Sequence, residues 1–291
     1  MRLFFKGLLI SVLLMMTGIA VQGQSDLRIE SFPRVAKQGD ACLARASGSS
    51  SLKSIHGQFQ GERFSMAFNN ETGTYEGLIG IDMSTSPGTY EIRVIATDGD
   101  NRVYSSALAL RVEKVDFGTQ TLSLPPSVVD LDAKTLERVN RETRKLEALF
   151  QTSRNERLWK TVFIRPVEGK ISTGFGLTRI INGRRRSPHT GVDLRAEEGT
   201  SLLATNQGAV VLVDELFFSG KSVILDHGWG LYSMYFHLSE ALVKEGDLVR
   251  PGAILGRVGS TGRSTGPHLH WGIRINGARV DPLSLLRTGT L

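Results

Sequence analysis

A mainly β chain is the fold class this sequence predicts: an N-terminal β-sandwich, a connecting helix and a compact antiparallel β domain at the C-terminal end. Three observations lead there. Between residues 25 and 115, short runs alternate apolar with polar residues and are cut by turn signals. From 132 to 152, apolar residues recur at helical spacing. From about residue 163, β-rich runs are punctuated by glycine. A length of 291 residues accommodates two ordinary domains.

The N-terminus reads as a segment that is removed. Arg2 and Lys6 precede an apolar core from Leu8 to Met16, followed by small residues, which is the pattern of a secretory signal peptide over residues 1–23. The apolar stretch is short for a membrane span, and no other long apolar run follows. A periplasmic or secreted location is therefore expected. Cys42 is the single cysteine, so no internal disulfide forms and the exported chain relies on its core; Cys42 reads as a buried small hydrophobe.

Residues 24–120 form the first domain. The runs LRIESF, CLARA, FSMAF, TYEGLIGI, GTYEIRVIATD and YSSALALRVE are strands, separated by Asn69-Asn70, Pro87-Gly88 and Asp98-Gly99-Asp100. About seven short strands in so few residues predict an immunoglobulin-like sandwich. It carries no constellation of reactive side chains, and His56 stands alone. Residues 121–160 are linker and helix. Pro125-Pro126 breaks the chain, Asp132 caps the helix, and Leu136, Val139, Leu146 and Phe150 form a packing stripe expected to join the two domains. Residues 161–291 are the second domain, with GAVVLVDE, KSVILDHG, GLYSMYFHL, AILGRVG and LHWGIRI as its strands.

The chemistry concentrates in that second domain. Five of the six histidines lie between residues 189 and 270. In HTGVDL, His189 and Asp193 are four apart and share a face of an extended strand; His268 and His270 share a face two apart. Three nitrogens and one oxygen suit tetrahedral zinc, and the lack of thiolates excludes a Cys-type structural site. Spacing leaves open whether His268 and His270 both reach one metal.

HTGVD, YFHLS and GSTGRSTGPHLHW resemble the three motifs of the lysostaphin/LytM-type zinc metallopeptidases, over roughly residues 163–285. The resemblance extends loosely to exported Gram-negative members with an N-terminal β domain. It implies that the second domain is a metallopeptidase that hydrolyses peptide cross-links of peptidoglycan with one zinc per chain. It implies that His189, Asp193 and His270 hold the metal, and that His237 and His268 assist an activated water, either being the general base. No His-Glu-x-x-His is present to supply a glutamate base. Ser172, Gly174 and Gly176 on one side, and Gly262, Ser264, Thr265 and Gly266 on the other, are the expected walls of a groove for peptidoglycan peptide stems.

Other readings are weaker. Gly262 to Gly266 matches a Gly-x-Ser-x-Gly nucleophile elbow, but Pro267 and a β run follow where that motif needs a helix, and no histidine follows Asp281. Gly220-Lys221-Ser222 lacks the first glycine of a phosphate loop, and VKEGDLVRPGAILGRVG has no lysine at a hairpin tip, as a lipoyl carrier needs. A net charge of +6 fits an anionic cell-wall polymer, with Gly183 to Ser187 as a basic loop at the groove mouth; an exported protein does not meet nucleic acid. His227 reads as a turn residue or support. The alternative function is a silent or partner-dependent cell-wall binding or activator protein of the same fold, with a protein activator as a further expected partner. The first domain would position the groove or mask it.

Overall fold

The structure is a computed structural model that describes residues 27–48, 52–123, 131–152, 154–185 and 188–288. The expected signal peptide, the Pro125-Pro126 break and residues 186–187 of the basic loop lie outside the described residues.

The first domain uses β1 (Arg28–Phe32), β2 (Val35–Lys37), β3 (Ala41–Ser47), β4 (Leu52–Phe59), β5 (Glu62–Ser65), β6 (Ala67–Asn69), β7 (Thr74–Gly80), β8 (Gly88–Asp98) and β9 (Val103–Glu113). They form one sheet in the order β1-β3-β7-β6 and another in the order β2-β9-β8-β4-β5. Alternation drives the packing. In β8, Ile92, Val94 and Ala96 are buried and turn toward Cys42, Ala44 and Ile79 of the other sheet. The run FSMAF is not one strand. It breaks at Met66, where the chain leaves β5 in one sheet and enters β6 in the other.

The linker strand β10 (Thr119–Leu122) is followed by α1 (Ala133–Gln151). Asp132 caps α1, accepting from the Thr135 N–H at 2.7 Å, as its sequence predicts. The apolar stripe does not join the two domains. Leu146, Leu149 and Phe150 lie on Leu212, Ile224, Tyr232 and Met234 of the second domain. Lys145 pairs with Asp214 at 2.7 Å, and the Glu142 carboxylate accepts from the Phe217 N–H at 2.8 Å.

The second domain contains β11 (Ile171–Thr173), β12 (Thr178–Ile181), β13 (Arg184–Arg185), β14 (Gly191–Arg195), β15 (Ser201–Leu203), β16 (Gly208–Leu216), β17 (Gly220–Gly228) and β18 (Leu231–Ala241). β19 (Leu248–Val249), β20 (Ile254–Val258), β21 (His268–Ile275), β22 (Ala278–Val280) and the short helix α2 (Pro282–Arg287) complete it. Its large sheet runs β11-β14-β21-β18-β17-β16-β19, with β20 on β18 and β15, and β22 on β21. These pairings are antiparallel. Trp271, Tyr235, Leu194, Leu225 and Ile273 are buried at its core.

The two domains share that core. Alternate residues of β3 serve opposite sides: Cys42 and Ala44 face the sandwich, whereas Ala41 and Leu43 join Trp271 and Ile275 of the second domain. Leu78 and Ile79 of β7 divide in the same way. Arg279 clamps Asp82 through Nε at 2.9 Å and Nη2 at 2.6 Å. These hydrogen bonds hold the Asp82 carboxyl well below its ordinary pKa, against the opposing effect of burial.

Candidate metal centre

Register brings the predicted residues together. In the β14–β21 ladder, Asp193 stands directly opposite His270, and His270 stands opposite Phe236 of β18. Directly opposed residues put their side chains on one face of the sheet. His189 precedes β14 by two residues, and its Nδ1 lies 2.8 Å from the Gly174 carbonyl oxygen. A carbonyl only accepts, so in the neutral ring Nδ1 carries the proton and Nε2 keeps its lone pair. That Nε2 lies 2.9 Å from Asp193 Oδ1 and 2.9 Å from His270 Nδ1, and the third edge, His270 Nδ1 to Asp193 Oδ1, is 3.0 Å. The three residues are the group able to hold a metal ion among the described residues.

The donor set fits zinc. Two imidazoles and a carboxylate are a known catalytic set, and donors around a tetrahedral ion with bonds of about 2.0–2.1 Å stand roughly 3.3 Å apart, slightly wider than this triangle. All three residues are buried. Burial pulls the Asp193 carboxyl upward, but hydrogen bonds and charge from His189 and His270 outweigh it and hold the carboxyl far below the usual range. Burial lowers the His270 pKa, which disfavours the charged ring. A metal ion needs that carboxylate anionic and the imidazole donor nitrogens unprotonated.

His237 and His268 stand beside this triangle. His268 Nε2 is 3.7 Å from Asp193 Oδ1, while its Nδ1 donates to the Gly266 carbonyl at 2.8 Å. His237 Nδ1 donates to the Thr261 carbonyl at 2.8 Å. Each ring therefore keeps an unprotonated Nε2 when neutral. Burial lowers the His237 pKa to about 4, so it is neutral at pH 7. Its placement depends on a β-bulge. Lys221 pairs with Leu238 and Val223 with Tyr235, so β18 carries one residue more than β17 between them. His237 takes up that residue with φ of 65°, and its ring comes within 4.8 Å of the His268 ring. A regular strand would send residues 236 and 237 to opposite faces.

The expected groove residues divide into two kinds. Gly174 and Gly266 have open space where a side chain would stand. At Gly176 and Gly262 packing itself requires glycine: both have positive φ, with the Phe117 ring filling the space at one and the Gly220 backbone at the other. Ser172 donates to the Asp193 carbonyl at 3.3 Å. Ser264 donates to the Gly266 carbonyl at 2.8 Å from a loop that runs into strand β21, which removes the nucleophile-elbow reading; Thr265 lies in the same loop. His227 is fully buried between the Gln207 carbonyl and Ser233, a support rather than a ligand.

Gly191 explains the middle of HTGVD. A Cβ there would stand 2.8 Å from His270 Nε2, and closer still to the Trp271 carbonyl oxygen. Gly191→Ala is expected to push His270 out of the triangle and to cost about 1–3 kcal/mol of stability by overpacking. Zinc titration and a thermal midpoint check this; a variant equal to the parent in both would refute it.

Sequence reasoning missed Arg179, whose Nη2 lies 3.4 Å from Asp193 Oδ2, and Phe236, which stacks on His270 with centroids 5.5 Å apart. It also missed Phe117 and β10 beside the site. The Asn/Gly turn at 182–183 hinted at a hairpin carrying Arg179, but contact with Asp193 is set by tertiary folding.

Comparison with known proteins agrees with this geometry. Residues 187–282 match the model of peptidase family M23. A Neisseria meningitidis protein named DD-carboxypeptidase/endopeptidase Mpg is 44% identical over 97 residues, 33% of this chain and 22% of its own. A Vibrio cholerae protein named peptidoglycan DD-endopeptidase ShyA is 36% identical over 121 residues, 40% of this chain and 28% of its own. The chain thus spans about a quarter of the length of these curated relatives. A crystal structure of a putative peptidase M23 from Pseudomonas aeruginosa superposes with a TM-score of 0.68 at 28% identity, covering 87% of this chain and 95% of that one. The match encloses His189, Asp193, His237, His268 and His270, and the chain carries a domain of peptidase family M23.

Proposed function

We propose that the chain is a zinc-dependent endopeptidase that hydrolyses peptide cross-links of peptidoglycan outside the cytoplasm. The observation that carries this reading is the triangle of His189 Nε2, Asp193 Oδ1 and His270 Nδ1, with edges of 2.9, 2.9 and 3.0 Å, flanked by two histidines outside it. The name of the Vibrio cholerae relative, a peptidoglycan DD-endopeptidase, supports the substrate class.

His189, Asp193 and His270 would hold the zinc. When bound there it supplies a Lewis acid that polarises a carbonyl and makes water acidic. The rest falls to this chain's own side chains. His237, neutral at pH 7, offers Nε2 as a proton acceptor because Thr261 occupies Nδ1. His268 points Nε2 toward the triangle and, once protonated, donates there to a developing oxyanion. Gly174 and Gly266 leave room for a peptide backbone to approach.

The sheet orders β1-β3-β7-β6 and β2-β9-β8-β4-β5 support an immunoglobulin-like reading of residues 24–120, since they follow the order of an ABED sheet facing a GFC sheet. Its role is to position: the shared core and the Arg279–Asp82 clamp argue for a fixed module rather than a hinged mask. Residues 1–23 are read as the export signal.

The test uses residues 24–291. Metal analysis should find one zinc per chain, and incubation with purified peptidoglycan should release peptides with new ends, identified by mass spectrometry. Zinc without cleavage would favour a binding or activator protein, and no zinc would refute the reading.

A further inference from the structure

The two oxygens of Asp193 have different surroundings. Oδ1 faces His189 Nε2 at 2.9 Å and His270 Nδ1 at 3.0 Å, inside the triangle. Oδ2 faces away from it, toward Arg179 Nη2 at 3.4 Å. A carboxylate whose outer oxygen is held by a guanidinium has its inner oxygen aimed at the metal position, and one-oxygen ligation is favoured over two. Arg179 Nε is buried with no hydrogen-bond partner among the described residues.

The strand that carries Arg179 is held in an unusual way. β12 belongs to a separate three-stranded sheet with the order β10-β12-β13, outside the large sheet that carries Asp193 and His270. Its partner β10 comes from the segment leading out of the first domain and pairs with it in parallel, Gln120 beside Arg179. Just before β10, the Val115 N–H donates to Gln38 of the sandwich at 2.9 Å. The Phe117 ring occupies the space over Gly176 and meets Phe175 edge-on, centroids 5.8 Å apart, and Phe175 lies in turn over Gly39 of the sandwich. The linker is thus a strap across the flank of the metal centre, anchored on the sandwich at one end and on β12 at the other.

We propose that Arg179 is a positioning residue that fixes the Asp193 carboxylate for metal binding, and that the strap of Phe117 and β10 holds the strand presenting it. This rests on the zinc reading above. Partners of metal ligands typically contribute about 10–100-fold in metal affinity, which sets the expected size.

The test is zinc affinity by chelator competition on residues 24–291, for the parent, Arg179→Met, Arg179→Lys and Phe117→Ala, with the melting midpoint of each after zinc removal. Arg179→Met is expected to bind zinc about 10–100-fold more weakly, with a zinc-free midpoint equal to the parent's. Arg179→Lys, which restores a cationic donor, should recover most of that loss, and Phe117→Ala should fall between parent and Arg179→Met. Equal affinity in Arg179→Met and parent overturns the role of Arg179. So does a loss matched by a lowered zinc-free midpoint and not relieved by lysine, which would mark a merely structural residue. Unchanged affinity in Phe117→Ala overturns the strap. A parent that takes up no zinc overturns the underlying reading, a result distinct from equal affinities.

Discussion

His270→Ala is expected to purify without zinc and without hydrolytic activity, and His189→Ala and Asp193→Ala to do the same. The three donor atoms are separated by 2.9 to 3.0 Å, so each supplies a full third of the set. Partners that merely orient ligands contribute about 10–100-fold in affinity, and loss of a ligand itself exceeds that range. The fold should survive. His270 is surrounded by Phe236, His189 and His237, all at the edge of the site, while Trp271 and Leu269 beside it anchor β21 in the core. The check is metal analysis together with peptide release from purified peptidoglycan. A folded variant retaining one zinc per chain would remove that residue from the ligand set. Chelation of the parent should reproduce the variants' inactivity, and added zinc should restore it.

The second large effect separates chemistry from metal binding. His268→Ala and His237→Asn should keep one zinc per chain and lose about 10²–10⁴ of the turnover rate, the usual contribution of a positioned acid or base. Asparagine is the better choice at 237, because the residue sits at φ of 65°, which asparagine tolerates and most side chains do not. The loss should fall mainly on kcat rather than KM, since these imidazoles act on groups whose charge changes during reaction. Loss of zinc in either variant would show that it belongs to the ligand set and would overturn the division of the five residues. A variant that retains full activity would remove that histidine from the chemistry.

The cluster of His189, Asp193 and His270 was legible because its members sit in short motifs, His189 four residues before Asp193 and His270 two after His268. Choosing His270 over His268 needed the resemblance; the geometry that supports it is the register of Asp193 opposite His270. β8 and α1 were legible from periodicity and a cap. What stayed hidden depends on contacts between distant residues. β4 escaped notice because Gly57 interrupts it, and that glycine is explained by the Phe64 ring lying against it from β5. The break at Met66 is a change of sheet, which alternation cannot reveal. The stripe of α1 gave an apolar face but not its partner, which is the outer surface of β16 to β18. Phe117 carries no local signal, and the turn at 182–183 marks only the hairpin of Arg179, not its contact with Asp193.

The double-sided burial of β3 makes Cys42 a reporter of events in the second domain. Its thiol is buried against the sandwich core, where desolvation drives its pKa up and suppresses the reactive thiolate. Its neighbours Ala41 and Leu43 belong to the core of the second domain. The sandwich cannot open at β3 without stripping that core, so alkylation of Cys42 follows unfolding of the whole chain. A cation bound by His189, Asp193 and His270 stabilises the folded state by RT ln(1 + [L]/Kd). Zinc loading should therefore slow thiol labelling by the factor 1 + [L]/Kd while opening and closing remain fast relative to alkylation. One cysteine and one alkylating reagent then measure metal affinity with no substrate present.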